Sequence, residues 1–278
     1  MNFLDPDKVL RLILLIINFQ VVISSLEGLV NIKIYRPGQL FSWVYIKRAN
    51  KLLTLNPLFE KTFNTLFDYP NIIFFTAIKL SLSILLVIFL YTGKPIHLLV
   101  LTITIMSVLT GLRNTYGTDG SDQLTNIIML TICIAMLPGL SGSGKTIAIC
   151  FIAFQAELSY VTSGAYKFIS PGWKNGDYLR DILSTASYGN KYAKKFFDSI
   201  PISYIIGSFC IIFGELLFGL CFLFPPDLCL VTLAIGILFH FSVALIMGLN
   251  TFLWAFVSTY PAIYFITLLH ASGFNIPK

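Results

Sequence analysis

Leu228-Cys-Leu-Val-Thr-Leu-Ala-Ile-Gly-Ile-Leu-Phe-His240-Phe-Ser-Val-Ala-Leu-Ile-Met-Gly-Leu249 contains no Asp, Glu, Lys or Arg. As a helix rising about 1.5 Å per residue, a run of this length reaches across the roughly 30 Å hydrocarbon core of a bilayer. Pro225-Pro226-Asp227 bounds it on one side and Asn250 on the other. Outward from it, comparable apolar runs lie at Val9–Val30, Ile72–Tyr91, Ile96–Leu112, Leu124–Pro138, Thr146–Tyr166, Ile202–Phe224 and Thr251–Leu269. Ile96–Leu112 and Leu124–Pro138 are short enough to be tilted or paired inside a bundle, and Pro261 is placed to kink the final run. The expectation is an all-α, polytopic transmembrane helical bundle of about eight spans, forming one domain over residues 1–278.

Composition points the same way. Of 278 residues, 56% are hydrophobic and 12% charged, with a mean hydropathy of +0.81, whereas a soluble domain carries about 25% charged residues. Eight spans leave no length for a separate soluble catalytic domain, which disfavours nucleotide-driven and secreted-enzyme classes. The net charge of +6 fits loops facing anionic lipid and does not imply nucleic acid as a partner. The apolar run from Leu10 lacks a small-x-small cleavage site and continues into Gln20, Ser24, Ser25 and Glu27, so it reads as a span and not a cleavable signal. Cys133, Cys150, Cys210, Cys221 and Cys229 sit in or beside apolar runs without a C-x-x-C, and read as buried thiols. Cys221 and Cys229 flank the Pro225-Pro226-Asp227 turn and can approach each other. His97, His240 and His270 have no metal-ligand spacing, so no metal site is expected.

Two long connections, residues 31–71 and 167–201, read as folded onto the membrane face. In the first, Phe41, Trp43, Leu52, Leu53, Leu55 and Leu58 alternate with Lys47, Arg48 and Lys51 in the manner of an interfacial helix. With eight spans both connections share a side that collects thirteen of the nineteen basic residues, Arg113 among them, which by charge alone is the cytoplasmic side. Gly139-Leu-Ser-Gly-Ser-Gly-Lys-Thr146 matches the phosphate-loop pattern letter for letter. It joins two apolar runs, with no strand before it and no later Asp to hold magnesium, so it reads as a flexible turn with Lys145 at the interface and no nucleotide site.

Charged groups inside spans are costly, and they tend to face a bundle interior or an aqueous cavity. Here they are Glu27, Lys79, Glu157, Glu215 and His240, with Asp122 and Lys167 at span edges. Lys79 and Glu215 read equally as halves of structural ion pairs. Glu157 and Lys167 are too far apart to touch along one helix.

The most distinctive stretch is Tyr160-Val-Thr-Ser-Gly164-Ala-Tyr-Lys167-Phe-Ile-Ser-Pro-Gly-Trp173-Lys-Asn-Gly176-Asp-Tyr-Leu179. It resembles the Y-x-x-x-G-x-x-K-(x)5-W-x-x-G signature of the HTTM family, the membrane module of vitamin K-dependent gamma-carboxylase and its bacterial relatives. Ser25-Leu26-Glu27, Phe41-Ser42-Trp43, Gly120-Ser121-Asp122-Gln123-Leu124, Phe239-His240-Phe241 and Gly248-Leu249-Asn250-Thr251-Phe252 extend the resemblance over nearly the whole chain. Among bacterial members it is most similar to the compact SdpB-like proteins, which accompany small secreted antimicrobial peptides.

The resemblance implies a catalytic role for Lys167, as the base that deprotonates a reduced quinone, with Asp122 where the carboxylase has its histidine and Tyr166 where it has a first lysine. Those departures, and the missing soluble C-terminal region, argue against full glutamate carboxylation. Glu157, His240, Gln123, Tyr160, Gly164, Trp173, Gly176, Glu27 and Glu215 are expected to line or support the pocket. The implied function is maturation or escort of a small secreted peptide in the bacterial cytoplasmic membrane, with lipid and that peptide as partners. A non-enzymatic transporter or immunity protein and a quinone-dependent carboxylase-like enzyme are the alternatives. The resemblance also places Lys167 on the outer face, against the charge count; the outer face is preferred, because the loop carrying Lys167 reads as part of a folded site.

Overall fold

A computed structural model of the chain describes residues 4–49, 57–114 and 120–273. Every extended element among them is helical: α1 Pro6–Val30, a 3-10 turn Ile32–Tyr35, α2 Trp43–Ala49, α3 Pro57–Phe67, α4 Asn71–Thr92, α5 His97–Arg113, α6 Gly120–Ala135, α7 Gly142–Ile169, α8 Pro171–Lys174, α9 Asp177–Ser184, α10 Lys191–Ser199, α11 Ile202–Phe218, a 3-10 turn Cys221–Leu223, α12 Pro226–Met247, α13 Asn250–Val257 and α14 Tyr260–Ala271. Among the described residues, five helical stretches are long and apolar enough to cross a membrane: α1, α4, α7, α12, and α13 with α14 taken across their break. The α10–α11 pair, bent by 114°, adds a sixth if it counts as one span. The chain is an integral membrane protein. The shortfall from eight lies in α5, α6 and α11, with 17, 16 and 17 residues.

Two of the long helices, α4 and α12, present hydrocarbon on their exposed side and keep polar groups on their buried one. On α4 the buried stripe is Ile72, Phe75, Lys79, Ser83 and Leu86, while Phe74, Ile78, Ile84 and Ile88 face outward. On α12 the buried side holds Cys229, Thr232, Gly236 and His240, and Leu238, Phe241 and Leu245 are exposed. Polar atoms kept inward and hydrocarbon outward is the arrangement that lipid requires. Turn chemistry sets the ends: Pro225 and Pro226 start α12, and Gly248, at φ +73°, stops it. The break before α14 falls at Ser258-Thr259, just ahead of Pro261.

The chain's internal contacts cluster into two units, Leu14–Leu140 and a second made of Met1–Ile13 with Ser141–Lys278. In the first, α3 packs on α4, α4 on α5 and α5 on α6. Trp43, Ile46, Phe67, Ile72, Phe75 and Met106 form its apolar cluster, and the Trp43 indole donates to Asn64 Oδ1 at 2.6 Å. Asn18 Nδ2 donates to the Ser83 carbonyl at 2.9 Å, tying the second half of α1 to α4. Of the expected interfacial helix, Trp43 is buried in this cluster and Leu58 is exposed, and Phe41 packs against the cluster; Lys51, Leu52, Leu53 and Leu55 lie outside the described residues. Arg113 is not a loop charge. It is 1% exposed, and its Nη2 donates to the Phe41 carbonyl at 2.8 Å and its Nε to that of Phe67 at 3.5 Å.

In the second unit α7 packs against α11 and α14, and α12 against α13 and α14. Lys145 Nζ meets Asp7 Oδ1 at 2.7 Å, fastening the N-terminal piece to the start of α7. The expected flexible turn at 139–146 is half helix: Ser141 Oγ accepts from the Gly144 N–H, and α7 begins at Gly142. The element before it is helix α6. The expected membrane-face loop at 167–201 is likewise mostly helical. α7 runs past Lys167 to Ile169, and α8, α9 and α10 follow, with Leu179, Leu183 and Tyr204 as a small core flanked by Trp173 and Phe197. Asp198 accepts from Lys194 Nζ and from the Tyr204 hydroxyl, both at 2.8 Å. These bonds hold its carboxyl below the usual range, so their support is present at neutral pH and fades as pH falls through that lowered value.

Candidate functional site

Tyr160, Gly164 and Lys167 recur at i, i+4 and i+7 on α7, and therefore share one face. Gly164 is where α11 approaches: a Cβ there would lie 2.9 Å from Leu216 Cγ and 3.2 Å from the Ile212 carbonyl oxygen. One turn further on, Lys167 Nζ donates to Glu215 Oε1 and Oε2 at 2.8 and 2.7 Å, and to Ser163 Oγ. Trp173 of α8 presents its ring 5.3 Å from the same nitrogen. Gly176, at φ +80°, turns the chain into α9, where a Cβ would meet the Tyr204 carbonyl carbon at 2.8 Å. Four of the motif residues, Gly164, Lys167, Trp173 and Gly176, thus have a joint geometric reason for their spacing: they dock α7, α8 and α9 against α11. Lys167 pairs with Glu215 rather than with Glu157 or Asp122.

This arrangement does not suit a lysine base. An ammonium has three N–H donors, and here two point to the Glu215 carboxylate and one to Ser163. A base acting on a quinol must direct a nitrogen lone pair at the proton that it takes. The residues around Lys167, as placed, hold it as a paired cation and do not fit a reduced quinone as its reaction partner.

A second cluster lies along α7, α12 and α14. The Tyr160 hydroxyl is 2.7 Å from His240 Nε2 and 3.1 Å from the Tyr260 hydroxyl. The His240 ring stacks on Phe256 with centroids 4.7 Å apart and planes 11° apart. His240 Nδ1 and Glu157 Oε1 are buried without a hydrogen-bond partner. Cys221 and Cys229 are both free and buried and lie near enough to act on each other electrostatically, and Thr267 Oγ1 donates to Cys229 Sγ at 3.3 Å. Their approach across the Pro225-Pro226-Asp227 turn is realised. Tyr160→Phe removes the hydroxyl shared by His240 and Tyr260, and should lower stability by about 2 kcal/mol, because buried polar atoms are then left unmatched. Thermal unfolding in detergent, followed by tryptophan fluorescence, measures it; an unchanged midpoint would show that this chain of hydrogen bonds does not hold α7 to α12 and α14.

The third cluster lies in the Leu14–Leu140 unit, and it is a cavity. A volume of about 110 Å³ has room for several waters or one small polar group. Its wall is drawn from α1, α4, α5 and α6, and includes Gln20, Ser24, Lys79, Thr110, Arg113 and Asp122. Lys79, 5% exposed, donates to Thr110 Oγ1 at 3.3 Å. Arg113 lies one turn along α5 from Thr110, with the Tyr35 ring 4.8 Å from its guanidinium carbon. Ser24, Gly28, Tyr35, Asn114 and Asp122 also border a more open space of about 270 Å³, to which Glu27 and Asn31 contribute.

The expected site residues therefore separate. Lys167, Glu215, Gly164, Trp173 and Gly176 form the α7–α11 junction, and Tyr160, Glu157 and His240 belong to the buried network beside it. Asp122 borders the cavity of the other unit and, with Glu27, the more open space beside it, while Gln123 is exposed. Arg113 and Tyr260 were not anticipated. Arg113 ends an apolar run, where a basic residue ordinarily reaches for the interface, and nothing local marks Tyr260 as a partner of Tyr160. Among the described residues, no group of three His, Cys, Asp or Glu side chains is placed to hold a metal ion. Comparison with family models, with curated proteins and with solved structures gives no match for this chain.

Proposed function

We propose that this protein is a membrane-embedded handler of a small secreted peptide, of the SdpB-like HTTM type, which escorts or matures its cargo through a polar site within the bilayer. The observation that carries this reading is the cavity bordered by Lys79, Arg113 and Asp122, since charged walls are retained inside an apolar bundle where something polar must be accommodated. The resemblance around Lys167 supplies the cargo class. The Lys167–Glu215 pairing favours binding and escort over base chemistry. The test is first whether a neighbouring reading frame encodes a short exported peptide, and then co-expression of the two with mass spectrometry of the secreted product. Asp122→Asn at unchanged membrane abundance should abolish secretion or processing of the peptide; normal peptide output from that variant would reject the reading.

In this proposal α5, α6 and α11 also cross, which brings the spans to about eight in a bacterial cytoplasmic membrane. Helices of 16 or 17 residues fall a few ångströms short of the roughly 30 Å core, and local thinning accommodates them. The α8–α10 segment then lies on the outer face, in keeping with its being a packed structure and not a solvated loop. A single cysteine at the exposed Asn175, in a chain without its native cysteines, should react with an impermeant maleimide on intact cells. Labelling only after lysis would place the segment in the cytoplasm.

A further inference from the structure

Two basic side chains face one small cavity, and neither has a carboxylate within ion-pairing distance among the described residues. Lys79 Nζ makes one hydrogen bond, to Thr110 Oγ1, leaving two of its three N–H donors. Arg113 is met by the Phe41 and Phe67 carbonyls, by Asn114 Oδ1 at 3.3 Å and by the Tyr35 ring, all of them neutral. The exposed Asp68 carboxylate acts on Arg113 only from beyond that distance. The cavity wall thus carries two positive charges against one negative charge, that of Asp122. Ser107 Oγ, also in the wall, is buried without a partner. A surplus buried cation in hydrocarbon is expensive unless an anion joins it.

We infer that this cavity is a binding site for a single carboxylate, seated on Lys79 Nζ with the Ser107 hydroxyl beside it, while Thr110, whose own O–H goes to the Met106 carbonyl, holds Lys79 in place. The inference rests on the reading of this cavity as the cargo site. Charge selects the class: one monoanion neutralises the wall, while a phosphate dianion would reverse its sign. Volume restricts what enters, since about 110 Å³ takes a carboxylate and its first carbon atoms but no folded chain. The more open space bordered by Asp122 and Glu27 is the way in, and its acidic rim suits a ligand whose remainder is neutral or cationic. A peptide C-terminus and a free small carboxylic acid share this chemistry.

The experiment uses the full chain in detergent and follows the thermal midpoint by tryptophan fluorescence against acetate, N-acetyl-Gly-Gly-Phe as the free acid, its C-terminal amide, and inorganic phosphate. The free acid should raise the midpoint saturably and the amide should not. Lys79→Met should fold, because it removes a buried charge that lacks a partner, and should weaken binding at least about tenfold. Thr110→Val, which leaves the charge in place, should weaken it several-fold. Acetate acting alone would support the carboxylate site while removing the peptide as its source, and so would count against the proposed function only. A response to phosphate or amide equal to that of the acid, an undiminished response in both variants, or no response to any carboxylate would overturn the inference, and peptide output could then still be normal.

Discussion

Lys167→Ala should lower the stability of this protein by about 3–5 kcal/mol, and Glu215→Leu by a similar amount. Each leaves its former partner as an uncompensated charge at a helix junction where both side chains are largely sheltered, 17% and 11% exposed. The double replacement Lys167→Met with Glu215→Met should recover most of the loss, since an apolar pair of similar volume removes both desolvation penalties together. Lys167→Arg should keep much of the stability, because the pairing needs a cation and not a particular one. A double-mutant cycle read by reversible unfolding in mixed micelles gives the coupling. Additive losses, with no recovery in the double variant, would mean that the pair does not act as a unit; and if Lys167→Arg abolished peptide handling while leaving stability intact, the base role argued against above would have to be restored.

Arg113→Ala should be comparably severe, at about 4 kcal/mol. The guanidinium fills the space between the 3-10 turn, the start of α2 and the end of α3. Its removal leaves the Phe41 and Phe67 carbonyls unmatched in a buried region, each costing about 1–3 kcal/mol, and opens a void beside Tyr35. Arg113→Lys should recover little, as an ammonium cannot span the same acceptors as a planar fork or stack on the Tyr35 face. Limited proteolysis after Tyr35 or Arg36 provides a local readout; wild-type resistance in Arg113→Ala would show that the segment is held by its apolar cluster alone.

What could be read ahead of the structure was whatever is encoded in neighbouring residues. Leu228–Leu249 became α12 to within two residues because prolines start it and a left-handed glycine ends it. The break before Pro261 was legible for the same reason. Lys167 could be singled out, but not its partner: Glu215 lies 48 residues away, and a carboxylate in one apolar run looks like a carboxylate in any other. Arg113 was misplaced because a basic residue after an apolar run has two outcomes, reaching the interface or folding back onto backbone carbonyls, and only tertiary structure chooses. That Asp122 and Lys167 belong to different packing units was hidden for a similar reason. Motif order along the chain says nothing about which helices share a packing unit.

The ion pair between Asp7 and Lys145 joins residues 138 positions apart, and it closes a unit whose first piece, Met1–Ile13, is separated from the rest by the whole of Leu14–Leu140. A ribosome that adds 5–20 residues per second takes roughly 7–28 s to cover that distance. For that interval Val9, Leu10 and Ile13, all buried in the finished protein, have emerged without the helices that will cover them, while the contiguous Leu14–Leu140 unit has everything that it needs to assemble. The order of synthesis therefore makes the cavity-bearing half the earlier product of biogenesis, and leaves Val9, Leu10 and Ile13 dependent on lipid or on the insertion machinery until α7 arrives.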